Sequence, residues 1–327
     1  MLKNSLSAWE WRIIMESYEV TANAKVNLFL KICGKLPNGY HKLFMVMQEI
    51  DICDDVTVNI DSSRPAEIAV ICNGMDNTDP KKNLCYKAAD RFYARYHKKL
   101  VEEQTKEKIV FPYTEIVLTK RIPSEAGMGG GSSDAAAVLM TLQEHFGNPF
   151  SDEEMNEIAV NCGADVPFFL YGGMCLCEGV GEVVTQLEDP PKWPMLIVKP
   201  HIGVSTPRSF AQADKMAISG YDRKAYRAMF DRILEAGTDL DKVEAVVKEN
   251  RALFVNDLQA PGIEEVPVIA DIIDSLEQAG SSLAMMTGSG SAVFGLFKTE
   301  DIAKTARDII AGDDRFADCD IYVCHMI

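Results

Sequence analysis

Residues 127–134 read Gly-Met-Gly-Gly-Gly-Ser-Ser-Asp, and an apolar helical face formed by Ala135, Val138, Leu139, Leu142 and Phe146 follows at once. Strand, glycine-rich loop and helix start, in that order, make an anion site. Glycines let the backbone approach a ligand closely, and the amides and dipole of the helix N-terminus favour negative charge. Gly127, Met128, Gly129, Gly130 and Gly131 are therefore candidates to cradle phosphate, with Ser132 and Ser133 adding hydroxyl donors. Far upstream, Lys25 and Asn27 stand two apart in an alternating segment. That spacing puts them on one strand face, roughly 7 Å apart, either as part of a solvated surface or as paired site residues. A second glycine cluster, Gly288-Ser289-Gly290, precedes the apolar run 292–297 and is either a tight turn or another ligand-facing loop.

The common phosphate and hydrolase motifs do not describe the first loop. A Walker loop needs a lysine before its final Ser or Thr, and none stands near Ser132. The dinucleotide fingerprint would require Gly or Ala at Ser132, and the loop lies over a hundred residues into the chain. Residues 131–135 nearly imitate a serine-hydrolase elbow, yet His145, His201 and His325 lie in contexts that suggest no base.

The elements that must position these residues follow from periodicity. Val20, Ala22, Ala24, Val26, Leu28 and Leu30 alternate with other residues over 20–31, which predicts a strand with one face in the core. Pro37-Asn38-Gly39 signals a turn before Tyr40 and His41 and an apolar run to Ile50. Further strands are expected near 56–60, 68–71, 115–118, 195–198 and 292–297, and helices over 84–96, within 226–253 and over 269–279. The charged stretch 97–108 reads as a helix end and loop. Ser151 has capping-box spacing to Glu154, with Met155, Ile158, Ala159 and Cys162 at helical intervals and Gly163 at the C-cap position. Asp165-Val166 should be extended, because Pro167 follows. Strands and helices interleave in both halves, so the architecture is α+β or α/β.

The chain has 327 residues, enough for one large domain or two ordinary ones. Its 33 Lys plus Arg against 49 Asp plus Glu give a net charge of -16, which argues against a nucleic-acid partner. No stretch approaches the roughly 20 apolar residues of a membrane span. Trp9, Trp11, Ile13 and Ile14 are interrupted by Glu10 and Arg12, so no signal peptide is expected and a cytoplasmic location is. The nine cysteines are scattered without a CxxC pair, which points to reduced thiols; Cys175 and Cys177 are expected on one sheet face.

Together, the loop from Pro123 through Ser133 resembles the central phosphate loop of the GHMP family of small-molecule kinases. Residues 24–30, 38–43, 163–169, 178–182 and 286–291 resemble the branch of that family acting on cytidine-diphosphate-linked methylerythritol, in family order from about residue 18 onward. The resemblance implies an α+β fold: an N-terminal domain of the ribosomal-S5-domain-2 type over 18–167 behind an extension at 1–17, and a ferredoxin-like C-terminal domain over 168–327. Composition alone would put the join at the prolines near Pro190. It further implies ATP as phosphoryl donor and phosphorylation of the substrate's 2-hydroxyl. Asp165 is then the general base and Lys25 its cationic partner, with Asn27 beside it. A carboxylate to take the hydroxyl proton and an ammonium to stabilise charge are the minimum that positioning-driven phosphoryl transfer needs. Pro123 belongs to the phosphate loop, and Asn83 and Leu84 fall where the family contacts adenine. Tyr40 stacks on cytosine, His41 reads its edge, and Gly288, Ser289 and Gly290 supply amides to the diphosphate. Mg²⁺ is expected with ATP, with Ser133 as a ligand. Met47 stands where relatives carry a second aromatic for the cytosine. Sister kinases of mevalonate, homoserine or sugars, and a non-catalytic nucleotide-binding relative, are the other readings.

Overall fold

A computed structural model describes residues 15–73, 79–104, 111–187, 191–216 and 222–327. Most of the 1–17 extension, and residues 105–108 of the charged stretch, lie outside the described residues. The alternating segment becomes the long strand β1 (Met15–Lys35), which turns at 36–40 into the equally long β2 (His41–Asp61). Leu36 N–H donates to Tyr40 O at 2.7 Å to close the turn. After β3 (Glu67–Asn73), helix α1 (Leu84–Glu102) leads to β4 (Tyr113–Thr119). Then follow α2 (Gly130–His145), α3 (Asp152–Cys162), α4 (Val166–Tyr171), β5 (Met174–Gly179) and β6 (Val183–Leu187). β1 pairs antiparallel along β2, whose other edge is shared by β5 at its start and β4 at its end; β3 joins β4 in parallel.

A second sheet begins with β7 (Pro194–Pro200). Helices α5 (Thr206–Ala213), α6 (Arg223–Ala236), α7 (Leu240–Glu249), α8 (Gln259–Glu265) and α9 (Val268–Gln278) precede β8 (Leu283–Met286) and β9 (Val293–Leu296). Helix α10 (Glu300–Ala311) and β10 (Cys319–His325) complete it in the order β10-β7-β9-β8, all antiparallel. β5 and β6 pair into the first sheet and β7 opens the second, so the described strands change sheet between residues 187 and 194.

The first sheet is covered on both faces. Ala22, Leu30 and Ile32 belong to one continuous apolar core with Ala88 and Phe92 of α1 and Val138 of α2. Ala24, Val26, Leu28, Phe44 and Val46 pack with Met195 and Ile197 of β7, Phe294 of β9 and Phe230 of α6. β1 thus departs from one-faced alternation. Register shifts after Asn23, Asn27 and Ile32 turn neighbouring residues inward, so Phe29 is buried beside Leu28 and stacks on Tyr226 at 4.3 Å. Cys175 and Cys177 are buried in one core, and none of the nine cysteines, all of them among the described residues, forms a disulfide.

Three local expectations are corrected or refined. Helix α1 runs six residues past 96, because Lys and Glu are good helix formers and Lys98–Glu102 and Lys99–Glu154 ion pairs line its last turn. The capping box at Ser151 forms in both directions, but Gly163 ends α3 in extended backbone at φ -178. Asp165-Val166 is helical rather than extended. Pro167 falls in the first turn of α4, where a missing N–H costs no hydrogen bond. Among the described residues, no helix is long and apolar enough to cross a membrane.

Candidate active site

The bulged centre of β1, the start of α2, the Asp165 corner and the loop between β8 and β9 converge on a cleft of about 720 Å³. Lys25 N–H donates to Met128 O at 3.0 Å, tying the glycine loop to the strand. The Lys25 side chain is 3% exposed, and its Nζ donates to Asn27 Oδ1 at 2.6 Å and Gly127 O at 2.8 Å while lying 3.5 Å from Asp165 Oδ2. An ammonium has three donors, and burying it is tolerable only when they are engaged. These three oxygens meet that demand, which removes the solvated-face alternative for Lys25 and Asn27.

The two glycine loops meet backbone to backbone. Gly127 has φ +74, and a Cβ there would lie 2.2 Å from Thr287 O; one at Gly288 would lie 2.8 Å from Gly127 O. Asn27 N–H donates to Thr287 Oγ1 at 2.9 Å, Asn256 Nδ2 donates to the Met286 and Gly288 carbonyls at 2.8 Å each, and Ser289 shares a 2.7 Å hydrogen bond with Thr206. Gly129, left-handed at φ 74, caps α2 and accepts from the Ser132 and Ser133 amides. The amides of Gly130 and Gly131 therefore open the helix at the cleft wall.

Asn83, Leu84, Pro123, Met128, Ser132, Gly288, Ser289 and Gly290 all line the cleft with the glycines, Lys25, Asn27 and Asp165. Three other candidates do not. Ser133 is buried behind the loop, Tyr40 is 61% exposed at the rim, and His41 packs its ring on Phe210 at 4.7 Å. Met47 is fully buried in the core and does not face the cleft; the aromatic that does is Phe210 of α5. Leu43 and Met45 also line it, and His41 continues that face of β2 toward the rim, since residues two apart share a face. Helix α5 had a legible start, a Ser205-Thr206-Pro207 cap with proline in the first turn. Nothing local marked its Phe210 as a cleft wall.

A buried charge cluster at the Asn83 end was also not anticipated. Lys120 Nζ bonds Asp54 Oδ2 and lies 2.5 Å from Asp134 Oδ2, while Asp54 Oδ1 accepts from the Arg121 and Ile122 amides. Burial pushes the Asp134 carboxyl up to about 7; Lys120 opposes the shift and Asp54 adds to it. Burial pulls the Lys120 ammonium down, but the two carboxylates outweigh it and its pKa ends raised. The sign of the linkage follows. Folded Asp134 binds its proton more tightly than the unfolded chain does, so this stability is full below pH about 4 and is lost as pH rises through 7. The slope for one such group is about 1.4 kcal/mol per pH unit. Asp134→Asn is expected to flatten thermal stability between pH 5 and 7; an unchanged slope in a melting series would show that the proton resides elsewhere.

Among the described residues, no group of three or more His, Cys, Asp or Glu side chains is placed to hold a metal ion. The oxygen-bearing side chains that line the cleft in and beside the phosphate loop are those of Ser124, Glu125, Ser132, Asp134 and Asp165. A hard divalent cation that keeps its waters and binds mainly through nucleotide phosphates needs only one or two such ligands, so this donor set fits a metal arriving with the nucleotide.

The GHMP kinases N terminal domain matches residues 83–173, and GHMP kinases C terminal matches 230–313. The chain is 37% identical over 90% of its length to a 4-diphosphocytidyl-2-C-methyl-D-erythritol kinase of Geobacter metallireducens, covering 95% of that protein. It is 35% identical to the kinase of the same name in Clostridium tetani, over 88% of this chain and 93% of that one. A crystal structure of a 4-(cytidine 5'-diphospho)-2C-methyl-D-erythritol kinase superposes with a TM-score of 0.69 at 28% identity, over 94% of this chain and 99% of that one. A homoserine kinase from Cytophaga hutchinsonii, 18% identical with a TM-score of 0.69 over 99% of this chain and 97% of that one, shares the fold. With two glycine loops, a lysine and an aspartate gathered in one cleft, and relatives matched over nearly the whole chain, this protein belongs to the GHMP kinase family, in the branch of the 4-diphosphocytidyl-2-C-methyl-D-erythritol kinases.

Proposed function

We propose that this protein transfers the γ-phosphoryl group of ATP to the 2-hydroxyl of 4-diphosphocytidyl-2-C-methyl-D-erythritol. The observation that carries the chemistry is the buried Lys25 ammonium held 3.5 Å from Asp165 between the two glycine loops. The Asp165 carboxylate takes the proton of the substrate hydroxyl, the freed oxygen attacks the γ-phosphorus, and the bond to the β,γ-bridging oxygen breaks to leave ADP. Lys25 cannot swing away, because Asn27 Oδ1 and Gly127 O fix it; it stabilises charge that develops at the attacking and transferring oxygens. The Gly130 and Gly131 amides receive nucleotide phosphate, and Ser132 would be the residue to hold Mg²⁺ arriving with the nucleotide. Such a metal would neutralise phosphate charge during transfer.

At the other end, Phe210, Leu43 and Met45 form an apolar wall for the cytosine, with His41 at its edge and Tyr40 at the rim. A base stacked on one such ring gains about 1 to 3 kcal/mol. A coupled ADP-release assay tests the reading against mevalonate, homoserine and galactose. The cytidyl substrate should exceed each by at least about 10³ in kcat/KM, as expected when a site built for one partner's hydrogen bonds meets alcohols that lack them. Phosphorylation of only the other alcohols would transfer the protein to a sister activity.

A further inference from the structure

His41 has a partner that neither the strand pattern nor the family resemblance singled out. Its Nε2 lies 2.7 Å from Oδ1 of Asp214, the residue that ends α5. The other carboxylate oxygen, Oδ2, accepts from Lys35 Nζ at 2.5 Å. Lys35 and His41 are directly paired across the mouth of the β1–β2 hairpin, so one carboxylate grips both sides of the turn that carries Tyr40. The His41 ring is meanwhile laid parallel on Phe210, with centroids 4.7 Å apart and planes 19° apart, and only 9% of the side chain is exposed. Phe210 thus fixes the plane of the imidazole, and Asp214 fixes its rotation.

We propose that Asp214 sets the hydrogen-bonding identity of the His41 edge, and so selects a pyrimidine bearing a 4-amino group over one bearing a 4-carbonyl. This inference rests on the reading of His41 as the base reader. An ionised carboxylate only accepts, so Nε2 must carry the proton it donates to Asp214. In the neutral ring Nδ1 is then an acceptor. An acceptor at that edge pairs with the amino group of cytosine and faces the 4-oxygen of uracil lone pair to lone pair. The hydrogen bonds from His41 and then Lys35 hold the Asp214 carboxyl below the usual carboxylate range, which keeps it in its accepting form.

Asp214→Asn reverses the logic with almost no change in shape. The Lys35 ammonium has only donors and claims the amide oxygen, which turns the amide NH₂ toward His41. Nε2 must then accept, and Nδ1 becomes the donor. The measurement is kcat/KM for cytidine- and uridine-diphosphate-linked methylerythritol at pH 8 in the wild type, Asp214→Asn, Lys35→Met and His41→Ala, with KM for ATP and melting temperature alongside. The wild type should favour the cytidine compound by about 10²-fold, a rim site giving less than the discrimination of a fully enclosed one. Asp214→Asn should lower that ratio at least tenfold through KM of the cytidine compound, with KM for ATP and melting unchanged, while Lys35→Met keeps the ratio. If His41→Ala collapses the ratio but Asp214→Asn does not, the role of Asp214 is overturned and that of His41 stands. If His41→Ala leaves the ratio intact, the base-reading assignment fails and this inference with it. A collapse in Lys35→Met as large as in Asp214→Asn would mean that the carboxylate only holds the hairpin in place.

Discussion

Asp165→Asn is expected to lower turnover by about 10² to 10⁴-fold, the range for removing a general base, while KM for ATP changes less than about threefold. The amide keeps the shape of the carboxylate and can still accept a hydrogen bond, but it cannot take the proton of the attacking hydroxyl. Nothing else in the immediate arrangement substitutes for it: Lys25, the nearest titratable neighbour, has its ammonium committed to Asn27 and Gly127. Stability should fall less than turnover: the amide oxygen of the variant can still accept from Lys25, although that buried ammonium loses its countercharge. Single-turnover phosphoryl transfer, measured beside nucleotide binding and melting temperature, separates these quantities. Full turnover in the variant would remove Asp165 from the base role. Loss of nucleotide binding in parallel with turnover would make it a structural residue of the cleft.

The parts of this site that were legible in the sequence are those whose signal is local. A run of glycines followed at once by an apolar helix face declares a close-approach loop that opens a helix, because both are properties of adjacent residues. The shared face of Lys25 and Asn27 follows from strand geometry in the same way. What they face does not: the carbonyl that anchors Lys25 belongs to Gly127, and the hydroxyl that anchors the Asn27 backbone belongs to Thr287. The Lys120 cluster was hidden for the same reason, since Asp54 and Asp134 come to one ammonium from opposite sides of it in the chain. The pre-proline rule misread Asp165-Val166, because a local preference for extended backbone yields where the proline itself can open a helix. The resemblance put Met47 beside the cytosine, but a motif position does not say what covers a side chain: Met47 lies wholly in the core, while Met45, two residues earlier on the same strand, lines the cleft.

The net charge of -16 takes on a sharper meaning beside this geometry. The cleft-lining cations among the described residues are Lys25 and Lys120, and each touches carboxylates: Asp165 in one case, Asp54 and Asp134 in the other. Formal charge in the cleft therefore does little to attract a nucleotide over distance. On the proposed function, phosphate recognition falls to the amides of the glycine loop, which act only at contact. Such a site gives up long-range steering, and it binds an anion without presenting a basic surface to other polyanions.

That dependence on backbone position makes Gly127→Ala the most damaging small substitution available in the loop. The added Cβ would meet the carbonyl oxygen of Thr287 at 2.2 Å and the nitrogen of Gly290 at 3.1 Å, both backbone atoms that no rotamer change can move. The left-handed φ of +74 adds the ordinary cost of that conformation for a residue with a side chain, about 1 to 2 kcal/mol. The relief available is separation of the two loops, and separation moves the Gly127 carbonyl that holds Lys25 at 2.8 Å. Stability should fall by about 2 to 4 kcal/mol, and turnover by about 10²-fold or more in the fraction that remains folded, since a displacement near 1 Å is enough for that loss. Gly131→Ala is the matched control for folding. Its Cβ would meet only Leu84 Cδ1 at 3.6 Å, an ordinary contact, and alanine is the better helix former there, so its melting temperature should hold or rise. Denaturant titration of both variants with turnover per folded molecule distinguishes the outcomes. If Gly127→Ala melts and turns over like the wild type, the two loops yield freely, and the position of Lys25 does not depend on their contact.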